Sequence, residues 1–215
     1  GQHWAQPAPA FKIGDGRIHV QLQDLGARLN LNSLRQRSDL NLRARYQRLL
    51  ALEGIRAHDP ALLVGQNNRD GLPLPFSDLS ELRQLPGVDS QTLQQLEPLV
   101  GVFGNSPINV NTTRAEVLAS VEGIDLPTAR ILVSSRPEGG YPDITRFLSN
   151  PVLQGRDIKP QGLGVSSRQF RATIDVEQGR QRLRLVSDLR VMDREKVRVQ
   201  QRTLMPAPPE QPKTE

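Results

Sequence analysis

The run Phe170-Arg171-Ala172-Thr173-Ile174-Asp175-Val176 alternates apolar and polar residues without a slip, which is the period of a strand with one buried face. Working forward from it, Gly179 turns the chain, and Leu183, Leu185, Leu189 and Val191 carry on. After a second turn at Asp193-Arg194-Glu195, Val197 and Val199 alternate with Arg198 and Gln200. That predicts a three-strand antiparallel meander. Working backward, the same period returns only near the start of the chain. Beyond a Gly14-Asp15-Gly16 turn, Ile18, Val20 and Leu22 share one face and Arg17, His19 and Gln21 the other.

Between these ends the pattern is helical or irregular. Over 40–52, Leu42, Tyr46, Leu49 and Leu50 recur at helical spacing, with Arg43, Arg45 and Arg48 mostly outside the set and Gly54 placed as a C-terminal cap. The stretch 59–76 holds Pro73 and Pro75 with Asn67, Asn68, Asp70 and Gly71, and reads as a linker. Helical signals run from Ser77 to about Leu148, broken at 101–107 and 137–142. An α+β fold follows, with a sheet built from both ends and a helical insertion. The expected domains are 1–57, the first part of the sheet-bearing domain; 58–150, the inserted helical domain; and 151–205, the C-terminal strands. The tail 206–215, with four prolines in ten residues, is expected to be disordered.

Charge follows the same division. Residues 1–57 carry 9 Lys/Arg against 4 Asp/Glu, 58–150 carry 6 against 11, and 151–215 carry 13 against 8. The nets of +5, −5 and +5 place an acidic middle between two basic flanks, as expected if the flanks fold together around an insertion. The 215 residues are enough for one large or two small domains. The absence of cysteine removes disulfides, thiolate catalysis and Cys-based zinc sites together. No apolar run approaches the roughly 18 residues that span a bilayer and no signal peptide is evident, so the chain reads as a soluble piece.

The middle repeats internally. Setting Gly87 over Gly123 also sets Leu82 over Leu118, Leu85 over Val121, Val88 over Ile124, Asp89 over Asp125 and Thr92 over Thr128. Each copy reads as helix, Gly hairpin, helix, in the manner of a helix-hairpin-helix. DNA-binding hairpins offer helix N-terminal N–H groups to a phosphate and use a second Gly for close approach. Here Asp89 and Asp125 stand at that second position, where a carboxylate caps the helix and repels phosphate. Structural use of the repeat therefore outweighs DNA contact.

No enzyme chemistry emerges. His3, His19 and His58 have no partner at metal-ligand spacing. Gly139-Gly140 and Gly162-Leu163-Gly164 lack the setting of a phosphate loop, and Ser134, Ser135, Ser166 and Ser167 lack a nucleophile elbow. Asn111-Thr112-Thr113 matches a glycosylation sequon, but also suits a helix N-cap leading to Glu116. The arginines of the late strands read equally as a solvated, edge-protecting face or as a docking surface for an acidic partner.

Two runs, placed in order, carry a resemblance. Asp24-Leu25-Gly26-Ala27-Arg28-Leu29-Asn30-Leu31-Asn32 ends the first strand region, and Ile108-Asn109-Val110-Asn111-Thr112 precedes the late Arg-rich strands. With Ser77-Asp78-Leu79-Ser80-Glu81-Leu82-Arg83 between them, the chain resembles the protein K family of the type II (general) secretion pathway, the large minor pseudopilins. The resemblance covers most of 17–205. It implies a pilin-like antiparallel sheet packed on an N-terminal helix, truncated here, with the large helical domain inserted into it. It also implies a non-enzymatic subunit of the pseudopilus tip that helps start pseudopilus assembly for export of folded proteins. Its partners would be minor pseudopilins I and J, with further contact to the other pseudopilins and exported proteins. No nucleic acid is implied. The location would be the periplasm, with the missing helix anchored in the inner membrane.

On this reading Asn30 and Asn32 are structural, bonding backbone at a strand-to-helix corner, and Asp24, Asn109, Asn111, Gly87 and Gly123 join them as motif residues. Family members can carry an acidic calcium-binding stretch in the insertion. Here 59–76 holds only Asp59 and Asp70 as carboxylates, against the six to eight oxygens calcium takes, so these two are the calcium candidates and no other cofactor is expected. Two rival functions remain: a helix-hairpin-helix DNA-binding protein and a calcium-dependent adaptor.

Overall fold

The computed structural model describes residues 9–35, 40–59, 75–104, 106–179, 181–193 and 196–206. The period-two runs at the two ends do form one sheet. Strands β1 (Phe11–Ile13) and β2 (Gly16–Asp24) come from the first, and β7 (Gln169–Gln178), β8 (Gln181–Val191) and β9 (Val197–Pro206) from the second. They lie antiparallel in the order β1-β2-β7-β8-β9. Pairing of β2 with β7 sets Ile18 opposite Val176 and Val20 opposite Ile174, so the two distant runs meet apolar face to apolar face in register. One irregularity falls on β9. Asp188 faces Gln201 and Leu189 faces Val199, which leaves Gln200 as a bulge. Pro206 ends β9 instead of opening a disordered tail, and 207–215 lie outside the described residues.

The boundaries differ from those read in the sequence. The chain divides into a helical unit, Leu25–Ser167, and a sheet unit made of the segments through Asp24 and from Arg168, instead of dividing at 57/58 and 150/151. The physical reason is helix α1 (Leu40–Leu52). Its Leu42, Tyr46, Leu49 and Leu50 are buried in one core with Leu82, Leu96, Leu118 and Leu132, so a cut at residue 58 would sever the helix from the surface it packs on. The new boundaries also redraw the charge. Leu25–Ser167 holds 15 Lys/Arg and 14 Asp/Glu, a net of +1, while the remaining residues hold 13 and 9, a net of +4. The acidic middle arose from leaving out the arginines of α1 and its flanks.

Within the helical unit, α2 (Ser90–Leu96), α3 (Ala115–Ala119), α4 (Leu126–Ser134) and α5 (Ile144–Leu148) join α1. Two short parallel ladders, invisible to periodicity, close the unit. In the first, β3 (Leu29–Asn30) pairs with β4 (Val100–Gly101). In the second, β5 (Ile108–Asn109) pairs with β6 (Leu163–Gly164). Each buried Leu here contributes about 1.5–3 kcal/mol by leaving water. Among the described residues, every buried hydrophobic side chain falls between Leu25 and Leu163. On α4, Leu132 is buried while its neighbour Ile131 is 49% exposed. No described helix is long and apolar enough to cross a membrane.

Candidate functional site

The two Asn-x-Asn runs turn out to be the same device built twice. The Asn30 side-chain oxygen accepts the N–H of Asn32 at 3.1 Å, and the Asn109 oxygen accepts that of Asn111 at 3.1 Å. The second Asn then grips an aromatic residue's backbone with both ends of its amide. Asn32 Oδ1 accepts the Phe76 N–H at 2.8 Å and its Nδ2 donates to the Phe76 carbonyl at 3.0 Å. Asn111 does the same with Tyr141, at 2.7 and 3.0 Å.

In each case an aspartate two residues on caps a short helix. Asp78 accepts the Ser80 N–H within a capping box with Glu81, and Asp143 accepts the Arg146 N–H. The carboxamide sets a donor and an acceptor side by side in one plane, so Asn matches a peptide unit edge-on. Asn30 also holds the next segment, donating to the Gly104 carbonyl at 3.0 Å and accepting the Phe103 N–H at 3.3 Å. These side-chain bonds join parts of the chain that local sequence cannot connect. Asp24, the last residue of β2, is buried opposite Phe170.

Gly87 and Gly123 occupy left-handed conformations, at φ of +82° and +83°, where a Cβ would strain the backbone. Two residues on, Asp89 caps α2 by accepting the Thr92 N–H and Asp125 caps α4 by accepting the Thr128 N–H, each at 2.8 Å. The Thr128 backbone and hydroxyl, followed by Arg156, hold the Asp125 carboxyl down to about 2. Arg156 donates to Asp125, to the Gly123 carbonyl and to the Thr128 hydroxyl. The helix N-terminus that a phosphate would use is already occupied by a carboxylate with its own cation. Thr112 and Thr113 do not cap α3, whose N-cap is Arg114 with no side-chain bond. Thr113 donates instead to the Ala27 carbonyl at 2.7 Å.

The basic residues of α1 are similarly spent inside the unit. Arg45, expected on the outer face, is buried and donates to the Gln161 carbonyl at 2.6 Å. Arg48 donates to the Ser120 carbonyl at 2.7 Å. Of the calcium candidates, Asp59 is bound to Arg43 at 2.6 Å, and Asp70 lies outside the described residues. Among the described residues no three His, Cys, Asp or Glu converge as metal ligands. His58 is a packing residue. Its Nδ1 faces the Arg56 carbonyl at 3.0 Å and must donate, which leaves Nε2 to accept from the Tyr46 hydroxyl at 2.7 Å. Burial, and then Asp59, push that hydroxyl's pKa up. His19 lies on the sheet beside Asp175, and His3 is outside the described residues.

The sheet has two contrasting faces. On one, Phe11, Ile18, Val20, Ile174, Val176, Leu183, Leu185 and Leu204 stand in cross-strand rows. Phe11, Leu183 and Leu204 are 47%, 48% and 64% exposed. On the other, arginines face carboxylates. Arg171 pairs with Asp188 at 2.7 and 2.9 Å and Arg184 with Asp175 at 2.6 and 2.8 Å, both two-pronged, and Arg182 lies 3.6 Å from Glu177. Arg184 holds the Asp175 carboxyl below its ordinary range.

Comparison with known proteins converges on one family. The family model described as type II secretion system (T2SS), protein K matches residues 108–166, the span that opens with the second asparagine device. The type II secretion system protein K of Klebsiella pneumoniae is 31% identical, over 84% of this chain and 68% of that protein. Its Pseudomonas aeruginosa counterpart is 27% identical over 95% and 70%. A chain of the crystal structure of the GspK–GspI–GspJ complex from enterotoxigenic Escherichia coli superposes with a TM-score of 0.74. That match covers 95% of this chain and 85% of the other at 24% identity, and the fold is the same mix of helices and antiparallel sheet. By the extent of these matches, the chain belongs to the type II secretion system protein K family.

Proposed function

We propose that the chain acts as a minor pseudopilin, a non-enzymatic subunit of the pseudopilus tip that assembles with the I and J pseudopilins of its own system and helps start the pseudopilus that exports folded proteins. Family membership supports this, as does the likeness of its fold to a chain of the GspK–GspI–GspJ complex. The observation that carries the reading is the apolar face of the sheet, half-buried along Val20, Ile174 and Leu185 and with Phe11, Leu183 and Leu204 in the open. A soluble monomer rarely leaves so continuous an apolar surface uncovered. An apolar helix preceding β1, running across the sheet and on into the inner membrane, would cover it as in a pilin. On this reading the head lies in the periplasm.

The turns at Gly87 and Gly123 serve, on this reading, as helix-hairpin-helix elements that position helices and leave DNA alone. The large helical insertion suits the end of a filament, where no further subunit has to be stacked. No cofactor is called for. The test is to mix this chain with the soluble heads of I and J from the same system. A 1:1:1 complex by light scattering, without self-polymerisation, is expected. Failure to associate well above about 10 μM, or fibres formed by this chain alone, would overturn the proposal.

A further inference from the structure

Three of the arginines on the charged face of the sheet follow one rule. Arg171, Arg182 and Arg184 each stand opposite a carboxylate on the neighbouring strand. The last row breaks it. Arg190 of β8 stands directly opposite Arg198 of β9, both are exposed, and among the described residues neither has an ion-pair partner. Like charges directly opposite in an antiparallel pair are destabilising. A face that needed only solubility or edge protection would be served equally by a Glu at either position, which would also complete the pattern.

The outer member of the doublet, Arg198, lies on the strand whose backbone is open. Among the described residues β9 ends the sheet, with β8 its only neighbour, and all ten of its residues are exposed. The bulge at Gln200 leaves Gln201–Pro206 as an unbroken template and puts Arg198 just beyond its end. Exposed edges of this kind take up an extended segment through main-chain hydrogen bonds, while side chains set the specificity. We propose that β9 and the Arg190–Arg198 doublet form a docking strip for an acidic, extended segment of a partner protein. The segment pairs along Gln201–Met205 and brings a carboxylate to the doublet. The partner's charge then supplies what the sheet's own pattern omits, giving orientation and speed of encounter. A lipid headgroup would satisfy the arginines and leave the strand edge unused.

This inference rests on the assembly proposed above, and the test separates the two. Arg198→Glu places a carboxylate opposite Arg190, as in the other three rows. The isolated variant is expected to melt at or above the temperature of the parent, while its affinity for the I and J heads falls at least tenfold. Arg190→Glu should behave alike. Lys159→Glu, an equal charge change at an exposed position of the helical unit, should leave affinity unchanged. Unaltered binding by Arg198→Glu, a lowered melting temperature, or an equal loss with Lys159→Glu would each overturn the docking strip. So would parent chain that sediments with phosphatidylglycerol vesicles at about 150 mM salt and is released by Arg198→Glu, because the doublet would then serve a lipid. Absence of any parent complex removes the assembly and this inference together. An intact complex indifferent to Arg198→Glu removes only this one.

Discussion

The helical unit contains two halves, 29–101 and 108–164, that repeat the same order of parts. Each has an Asn-x-Asn strand, an aromatic residue held by the second Asn, an Asp-capped short helix and a closing parallel ladder. They differ in how far water is kept out. Asn111 is buried and its bonds to Tyr141 lie in the interior, whereas Asn32 and its bonds to Phe76 are partly exposed. The second half is also braced from outside. Arg136 donates to the carbonyls of Val110 and Thr113 on either side of Asn111. Gly140 packs so closely that a Cβ there would sit 2.6 Å from the Asn111 side chain, at a φ of +85° that already favours glycine. Equal chemistry in unequal surroundings implies unequal energies, since an unmet hydrogen bond is costly in proportion to how well water is excluded.

The largest effect should therefore come from Asn111→Ala. The change strands the Tyr141 N–H, the Tyr141 carbonyl and the Val165 carbonyl, all three held by this one side chain, and we expect a loss of about 3 kcal/mol or more. Urea titration followed by circular dichroism measures it. A loss below about 1 kcal/mol would mean that water reaches the site and that the halves do not differ as described.

Asn32→Ala removes the same pair of bonds to Phe76 and one to the Phe103 carbonyl, at a place water can enter. About 1–2 kcal/mol is expected, less than for Asn111 in the same assay. An equal or larger loss would reverse the ranking of the halves.

The parts of this architecture that were legible in the sequence were those that use a period or a local offset. Phe170–Val176 and Ile18–Leu22 announce strands because alternation is intrinsic to the pleat, and Leu42, Tyr46, Leu49 and Leu50 announce α1 because one helix face must be buried. Asp89 and Asp125 are legible for the same reason, since a cap acts on an N–H three residues away. The asparagine devices are legible only as motifs. Asn32 reaches Phe76 across 44 residues and Asn111 reaches Tyr141 across 30, and no local rule connects them. The fuller repeat could have been found by laying Asn30-x-Asn32 over Asn109-x-Asn111 and then looking for an aromatic residue two before an Asp. The domain boundary is not legible because α1 resembles any amphipathic helix. Where its apolar face goes is decided by Leu82, Leu118 and Leu132, far along the chain.

The smallest effect separates the two capped turns. Asp89 and Asp125 both have lowered carboxyl pKa values, first through the N–H at the third helical position. Only Asp125 also receives Arg156, at 3.0 Å. A carboxyl whose folded value lies below its unfolded one contributes stability that is complete above the ordinary carboxylate range and is lost as pH falls toward the folded value. For Asp125 that window runs from the ordinary 3.8 down to about 2. Carboxyl carbon chemical shifts followed through an acid titration should show Asp125 still ionised at pH 3. In Arg156→Gln its midpoint should rise while that of Asp89 stays in place. Both side chains are solvent-exposed, so the accompanying change in melting temperature should be slighter than for Asn32→Ala. If Asp125 titrates at the ordinary value, or if Arg156→Gln leaves it unmoved, the arginine is not part of the cap, and the turns at Gly87 and Gly123 are held in the same way.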